Sequence, residues 1–293
     1  MGSTGSRSAT FMPGQIIGDE APCEWVSWTA AAQHFASFGG RTQSQAHIKP
    51  LHWYTACRLV VEGGFFPEEV MPHPPFRVDR HNRLIYDPSV ARWSEGTIFG
   101  GLKTKNVDVT VFKPRVGPVM AVSHKGVTGA FRNLTNRMEE TIGECTNLHM
   151  AYPALVVGYF VVLRGSRTGT HPNDIGIDVN GNVVDGIARF SQALTRLANR
   201  AHFRDDPTRY EAISLAVVET SGNIGAVVPT FPALGSPLRM GDFFPRLYDQ
   251  YDQRFVYGAP ALVSRTRRGE WAPDSPAWQS APSALDYQPR TTP

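Results

Sequence analysis

Hydrophobic and polar positions alternate along residues 107–124 in a pattern that predicts two strands joined by a tight turn. Residues 107–113 are rich in β-branched side chains and alternate in polarity, which favours a pleated strand. Pro and Gly in the stretch 114–117 supply the backbone angles of a reversal. Residues 118–124 resume the alternation. The sequence therefore predicts a β-hairpin in the middle of the chain.

A helix is predicted to follow this hairpin from about Thr128. Apolar side chains recur there at helical spacing, at Phe131, Leu134, Met138, Ile142 and Cys145. Glu139 lies on the flank of that stripe. The hairpin and the helix together would bring four polar residues to one place: Asp108, Ser123, Lys125 and Glu139.

The remaining pattern predicts an α/β fold. Apolar residues at helical spacing predict helices over 25–38, 46–63 and 182–201, and continuous apolar runs predict buried strands over 152–163 and 213–219. The core order is strand, strand, helix, strand, helix, strand. Strand-helix-strand units of this kind predict a central mixed β-sheet flanked by helices.

Composition divides the chain into five expected segments. They are a flexible N-terminus (1–22), an N-terminal helical region packed on the core (23–104), the core itself (105–220), a segment rich in Gly, Pro and aromatic residues (221–260) and a flexible tail (261–293). We expect the fourth segment to complete a binding cleft or a dimer surface, with a short helix near 241–251.

Composition and charge exclude several protein classes. The chain has 293 residues, of which 41% are apolar and 19% charged, and its net charge is only +3. The three cysteines lack the paired spacing of a zinc site, so we expect reduced thiols and no zinc. The sequence has no apolar run long enough for a bilayer and no signal-peptide pattern at its start, which favours a cytoplasmic protein without membrane contact.

The four converging residues have a clear chemical use. Carboxylates such as Asp108 and Glu139 can hold a hard divalent cation through oxygen. Such a cation lowers the pKa of a bound water and offsets charge on a phosphodiester. A lysine at the position of Lys125 orients the attacking water or stabilises the developing oxyanion.

At these residues the chain resembles the PD-(D/E)XK nucleases. Most members carry Glu-x-Lys on the second strand, whereas this chain has Ser123-His124-Lys125. The NgoMIV/EcoRII-like subgroup of type II restriction endonucleases shows the same Ser-x-Lys and recovers the missing carboxylate from the next helix. Glu139, in the triplet Arg137-Met138-Glu139, lies at a similar distance after the lysine.

The resemblance covers about residues 105–220 and implies a type II restriction enzyme that cuts double-stranded DNA with Mg²⁺, for which Mn²⁺ can substitute. It implies a restriction-endonuclease-like core, with Asp108 and Glu139 as metal ligands, Lys125 as the catalytic lysine and Ser123 at the vacated position. It also implies a homodimer, or a tetramer. The gap from Asp108 to Ser123 is shorter than in enzymes that cut CCGG-centred sites, and the stretch GVTGAFRN lacks their Arg-Ser-Asp-Arg run. A CCGG target is therefore not expected.

Polar residues around the predicted site are candidates for further roles. The DNA-binding candidates lie on the predicted helix and in the loop after the next strand: Arg132, Asn133, Asn136, Arg137, Arg164 and Arg167. Arginine pairs with guanine and asparagine with adenine in the major groove, although contacts to phosphates or plain solvation fit the same residues. Glu95 and Glu140 are reserve carboxylates. His124, which faces away from Lys125, is interpreted as structural or as a DNA contact.

Each site residue also has an ordinary structural explanation. Asp108 can begin an exposed edge, Lys125 can extend along the surface into solvent, and Glu139 can be a solvated helix residue. Two further functions stay open: a non-cleaving DNA-binding protein on the same fold, such as a modified-DNA reader, and a repair or RNA-directed nuclease. The serine at position 123 keeps the first of these open.

Overall fold

The computed structural model describes residues 24–40, 45–128, 134–167, 174–184 and 187–292. Its helices are α1 (Trp28–Ser37), α2 (Lys49–Val61), α3 (Leu134–Ala151), α4 (Ala188–Leu197), α5 (Met240–Tyr251) and α6 (Val263–Thr266). Its strands are β1 (Val70–Met71), β2 (Phe76–Val78), β3 (Leu84–Tyr86), β4 (Gly96–Phe99), β5 (Thr104–Val107), β6 (Val109–Lys113), β7 (Gly117–Val127), β8 (Val156–Ser166), β9 (Ile175–Gly176) and β10 (Ala212–Glu219).

A mixed sheet forms the centre of the described structure. Its order is β1-β6-β7-β8-β10, with β9 paired to the end of β8. The pairs β1/β6 and β6/β7 are antiparallel, whereas β7/β8 and β8/β10 are parallel. The parallel pairs follow from the connections, because α3 separates β7 from β8 and α4 lies between β8 and β10. The predicted α/β class with a mixed sheet and flanking helices is confirmed.

Two hydrophobic layers cover the two faces of this sheet. One face packs against α1, α2 and α5, and the other packs against α3 and α4. Alternate residues of β8 divide between the layers: Phe160 and Val162 point to the first, Val161 and Leu163 to the second. Burial on both faces explains why β8 and β10 are continuous apolar runs in the sequence.

The central hairpin forms where the alternation predicts it. The two strands pair around a turn in which Gly117 has a positive φ of 104°. The expected strand over 107–113 is interrupted at Asp108, which separates β5 from β6. β5 pairs with β4 in a separate two-stranded ribbon, so the chain changes sheets at this aspartate.

The C-terminal residues differ from the flexible tail expected over 261–293. Trp271 is fully buried, and its indole N–H donates to the carbonyl of Val60 at the end of α2. Tyr287 is also buried and accepts a hydrogen bond from the indole of Trp25. The low hydrophobicity of the segment hid these few aromatic anchors, because two large side chains are enough to fix a short coil on a core.

The segment 221–260 contributes to the core as well. Helix α5 packs on the sheet, and its residues Phe243 and Phe244 are buried beside Phe160. Tyr251 and Phe255 continue this contact. The aromatic side chains that were expected to complete a cleft or a dimer surface therefore belong largely to the hydrophobic core.

Three smaller expectations concern the cysteines, the membrane and the N-terminus. Cys57 and Cys145 are free and buried, and Cys23 lies outside the described residues. Within the described ranges, every helix is too short or too polar to cross a bilayer. The expected flexible N-terminus at 1–22 lies outside the described residues.

Candidate functional site

Asp108 lies at the point where the hairpin leaves the β4/β5 ribbon. Val109 pairs with Val122 across the hairpin, which places Asp108 level with Ser123. The backbone N–H of His124 donates to Oδ2 of Asp108 at 2.7 Å. The side chain is 14% exposed. The aspartate is thus held by the neighbouring strand and retains access to solvent.

The end of β7 presents Ser123 and Lys125 to helix α3. Ser123 is buried, and its hydroxyl donates a short hydrogen bond to Oε1 of Glu144. Lys125 is 30% exposed, and its Nζ lies 3.5 Å from Oε1 of Glu140. Alternation along the strand accounts for this arrangement, since residues two apart share a face. The Ser-x-Lys segment therefore meets two helical carboxylates.

The carboxylates Glu140 and Glu144 are one turn apart on α3 and both face lysines. Nζ of Lys105, on β5, lies 2.8 Å from Oε2 of Glu144. Burial acts to lower the pKa of Lys105, but the charge and hydrogen bond of Glu144 outweigh burial, and the net pKa is raised. Lys105 is therefore a firmly charged partner of Glu144.

Glu139, the carboxylate expected from the sequence, is exposed on α3. Its role as a metal ligand stays a prediction. One residue on a helix corresponds to a rotation of about 100°, and Glu140, although its side chain is 56% exposed, is the one of the two that approaches Lys125 on β7. Glu140, a reserve candidate, and Glu144 are the helical carboxylates that contact the Ser-x-Lys segment.

Glu95, the other reserve carboxylate, lies just before β4 and is close enough to Asp108 for the charge of Asp108 to act on it. Burial raises the pKa of Glu95, and the negative charge of Asp108 raises it further. Lys105 and Lys49 oppose this effect only in part. A carboxylate whose ionised form is disfavoured by burial and by a neighbouring negative charge is one that a divalent cation would stabilise.

Two histidines that the sequence did not single out as a pair lie on the other side of Asp108. His52, from α2, has Nε2 at 3.9 Å from Oδ1 of Asp108, and its ring centroid is 4.8 Å from that of His124. Donor atoms of His52, Asp108 and His124 all lie within 4.8 Å of one another. His124 lies on the face of β7 opposite to Ser123 and Lys125, where its ring packs against His52 and Phe160.

Burial controls the protonation of both histidines. It lowers the pKa of His52 to about 3, an effect that the nearby charges of His47, Lys49 and Lys125 reinforce. It also lowers the pKa of His124 to about 3, with a further contribution from His52 and partial opposition from Asp108. Both imidazoles are therefore neutral at physiological pH. Helix α2 is buried on all sides, and a histidine in a fully buried helix usually has a structural or ligand-binding role. This position could have singled out His52.

The predicted DNA-binding residues have mixed positions. Arg132 and Asn133 lie outside the described residues, and Asn136 and Arg137 belong to the first turns of α3, although their side chains are not described. Arg164 donates to the backbone carbonyls of Phe35 and Phe38 at the end of α1. A structural role for Arg164 follows from these contacts.

Arg167 forms an ion pair with Glu219 at the end of β10. Its Nη2 lies 2.6 Å from Oε1 of that glutamate. The guanidinium is 36% exposed and therefore still accessible from solvent. Its role in DNA binding stays a prediction.

Comparison with known proteins adds no relative to this picture. No protein-family model matches the chain, and neither a curated protein nor a solved structure matches it. The site is therefore interpreted from its own geometry.

Proposed function

We propose that the protein is a Mg²⁺-dependent endonuclease that hydrolyses double-stranded DNA in the cytoplasm, in the manner of a type II restriction enzyme. The observation that carries the proposal is the meeting of three parts at one end of the sheet. Asp108 lies level with the Ser123-x-Lys125 segment on the next strand, and α3 brings Glu140 against that lysine. This combination of an acid, a lysine and a helical carboxylate is what the resemblance to the PD-(D/E)XK nucleases leads one to expect.

The residue types suit a hard divalent cation, although among the described residues the three side chains whose donor atoms lie within 4.8 Å of one another are His52, Asp108 and His124. Asp108, Glu140 and Glu95 supply carboxylate oxygens, which Mg²⁺ prefers, and the raised pKa of Glu95 beside Asp108 reflects negative charge that a cation would offset. When bound, Mg²⁺ supplies a water of lowered pKa and neutralises charge on the phosphodiester. Asp108 is the best-placed ligand, because the backbone N–H of His124 already fixes its orientation.

Lys125 provides the other half of the chemistry. Its ammonium group is close to Glu140 and remains partly open to solvent, where a phosphodiester can approach. From there it can orient the attacking water and stabilise the negative charge that develops on the phosphate. Ser123, tied to Glu144, helps to hold β7 against α3 so that the lysine keeps its position.

The test is cleavage of a sequence-diverse DNA, unmodified and cytosine-methylated, with Mg²⁺. We expect discrete fragments from the wild type and a loss of about 10²–10⁴-fold with Lys125→Ala. Lys103→Ala, on the exposed turn between β4 and β5, serves as the matched control and should cut normally. Absence of cleavage by the wild type on every substrate would contradict the proposal.

The same assay separates the three glutamates of α3. Glu140→Ala should reduce cleavage strongly because Glu140 contacts Lys125. Glu144→Ala should act by loosening Ser123 and Lys105. Glu139→Ala tests the prediction that Glu139 is the metal ligand on the helix. Normal cleavage by this variant would mean that Glu140, and not Glu139, supplies that carboxylate.

One observation favours the second candidate, a non-cleaving DNA-binding protein such as a modified-DNA reader. Both helical carboxylates at the site already face a lysine, Glu140 through Lys125 and Glu144 through Lys105. Carboxylates neutralised in this way are weaker ligands for a cation. Binding of DNA without cleavage, unchanged by Mg²⁺, would support this candidate.

Recognition of a palindromic DNA site requires two copies of the chain. A two-fold protein matches a two-fold site, so we propose a homodimer as the active form, with a tetramer as the alternative. The start of α3, with Asn136 and Arg137, and Arg167 are the proposed contacts to DNA. Sedimentation with and without DNA measures the number of copies.

A further inference from the structure

The environment of His52 contains polar atoms that the proposed nuclease reaction does not use. His52 is fully buried, and in the described structure neither of its ring nitrogens has a hydrogen-bond partner. His124 is also buried; its Nε2 is 2.9 Å from the hydroxyl of Thr55, and its Nδ1 has no partner among the described residues. Three unpartnered ring nitrogens thus lie on two histidines in contact.

Such an arrangement costs stability unless something occupies it. A buried polar group without a hydrogen bond typically destabilises a protein by about 1–3 kcal/mol. The rings are nevertheless held in place, since His52 stacks on Trp93 at 5.4 Å and His124 stacks on Phe160 at 5.6 Å. Fixed, neutral imidazoles whose lone pairs have no hydrogen-bond partner are what a metal site requires.

The geometry also fits a single ion. Donor atoms of the two histidines and Asp108 lie within 4.8 Å of one another. Two ligands about 2.1 Å from one tetrahedral ion are about 3.4 Å apart, so the most distant pair of the cluster would have to close by up to about 1.4 Å. Asp108 supplies the negative charge, and its partial exposure leaves a route and an open coordination position on the solvent side.

The ligand types decide which metal is preferred. Two imidazoles and one carboxylate suit Zn²⁺ and other divalent transition metals, whereas Mg²⁺ prefers an environment made only of oxygen. The cysteine spacing gave no reason to expect zinc, but this cluster contains no cysteine. The residues come from α2, from the position between β5 and β6, and from β7, so their separation in the sequence conceals the site.

We propose that His52, Asp108 and His124 form a binding site for one divalent transition-metal ion, with Zn²⁺ as its best ligand. Thr55 supports the site by fixing the ring of His124: the tautomer in which Nε2–H donates to the hydroxyl leaves the lone pair on Nδ1. The site shares Asp108 with the proposed Mg²⁺ ligands but includes none of the carboxylates of α3, and its binding of Zn²⁺ can be measured without DNA or Mg²⁺.

The experiment is titration of the metal-free, full-length protein with Zn²⁺ by calorimetry, followed by Co²⁺ absorption spectroscopy to detect nitrogen ligands. We expect one ion per chain for the wild type. His52→Phe keeps the stacking on Trp93 and removes a ligand. Loss of an outer-shell partner of a metal ligand commonly weakens binding about 10–100-fold, so loss of a ligand should weaken it by about 100-fold or more.

His47→Gln is the matched control. His47 is buried, and its Nδ1 is also unpartnered in the described structure, but it lies outside the cluster and its Nε2 contacts the carbonyl of Gly126. This variant should bind Zn²⁺ as the wild type does. If His52→Phe does not fold, Asp108→Asn replaces it, because the amide oxygen can still accept from the backbone N–H of His124.

Two results would overturn the proposal. One is the absence of stoichiometric Zn²⁺ binding by the wild type, which would mean that water serves the unpartnered nitrogens. The other is equal binding by the wild type and by both cluster variants, which would place the ion on surface histidines. Because these readouts do not involve DNA, they are independent of the nuclease proposal.

Discussion

Two buried polar clusters, one around Glu211 and one around Asp108, differ in how completely their groups are paired. Glu211, just before β10, has both carboxylate oxygens occupied: Oε1 lies 2.9 Å from Arg200 and 2.8 Å from Arg254, and Oε2 accepts from the backbone N–H of Val157 at 2.7 Å. His149 adds a contact at 3.4 Å. The cluster around Asp108 instead leaves three ring nitrogens unpartnered among the described residues.

The paired cluster around Glu211 stabilises the fold, whereas the unpartnered ring nitrogens around Asp108 are the ligands of the proposed metal site. Burial acts to raise the pKa of Glu211, but the hydrogen bond and charge of His149, together with the charge of Arg254, hold that pKa below its ordinary value. A fully paired network of this kind joins α3, β8, the segment after α4 and the segment after α5, and it fixes the fold. Unpaired buried groups stabilise nothing by themselves, and a site that must accept a ligand retains them.

The largest expected effect comes from breaking the paired cluster. Glu211→Gln removes the charge that two buried arginines share and should lower the free energy of unfolding by about 3–5 kcal/mol. Denaturant unfolding measures it. Glu270→Gln, which removes a half-exposed ion pair with Arg290, is the control and should cost at most about 1 kcal/mol. Similar losses in the two variants would mean that the Glu211 network does not hold the fold.

The second largest expected effect is the loss of stability in acid, caused by the two histidines of the cluster around Asp108. The folded pKa values of His52 and His124 are about 3, below the ordinary value of 6.5. The unfolded chain therefore binds more protons, so the stability is fully present above pH 6.5 and is lost as the pH falls below it. At pH 5 the lowered pKa of each histidine should reduce the free energy of unfolding by about 2 kcal/mol. His52→Phe should be about 2 kcal/mol less sensitive to this change, and equal pH dependence would contradict the assignment.

At neutral pH the removal of His52 should have a much smaller effect. His52→Phe replaces unpartnered polar atoms with an apolar ring that can stack on Trp93. We expect a change in the free energy of unfolding within about 1 kcal/mol of zero in the metal-free protein, since the variant leaves few partners unpaired. A loss as large as that of Glu211→Gln would show that His52 is structural.

The last comparison is between the effects of two glutamates of α3 on stability. Glu144 is buried between Ser123 and Lys105, and Glu144→Ala should cost about 1–3 kcal/mol because it leaves a buried partner unpaired. Glu139 is exposed, so Glu139→Ala should change stability by less than about 0.5 kcal/mol. Equal effects would mean that the register of α3 against β7 differs from the one described.

Much of the fold could be predicted from the sequence because it depends on local pattern. The hairpin at β6 and β7, the buried strands β8 and β10 and helix α5 all lie close to their expected ranges. The C-terminal tail could not be predicted, since a polar coil anchored by Trp271 has no periodic signal. Helix α3 is described from Leu134, and the predicted start near Thr128 directly precedes residues 129–133, which lie outside the described residues.

The site was harder to predict, because it depends on contacts between distant segments. The hairpin pairing already indicated that Asp108 lies near Ser123. The rotation of α3 depends on its packing against β7, which decides whether Glu139 or Glu140 faces Lys125. Nothing in the spacing of His52 and His124 connects them, because their proximity arises only when α2 packs on the sheet.

Cleavage is the measurement that tests the central claim most directly. Purified wild-type protein and Lys125→Ala are incubated with sequence-diverse DNA and Mg²⁺, and the ends of the products are sequenced. The account predicts discrete, sequence-defined ends from the wild type and none above background from the variant, with both proteins equally folded. Identical fragments from the two proteins, or none from the wild type on any DNA, would contradict the claim that this end of the sheet is a nuclease site.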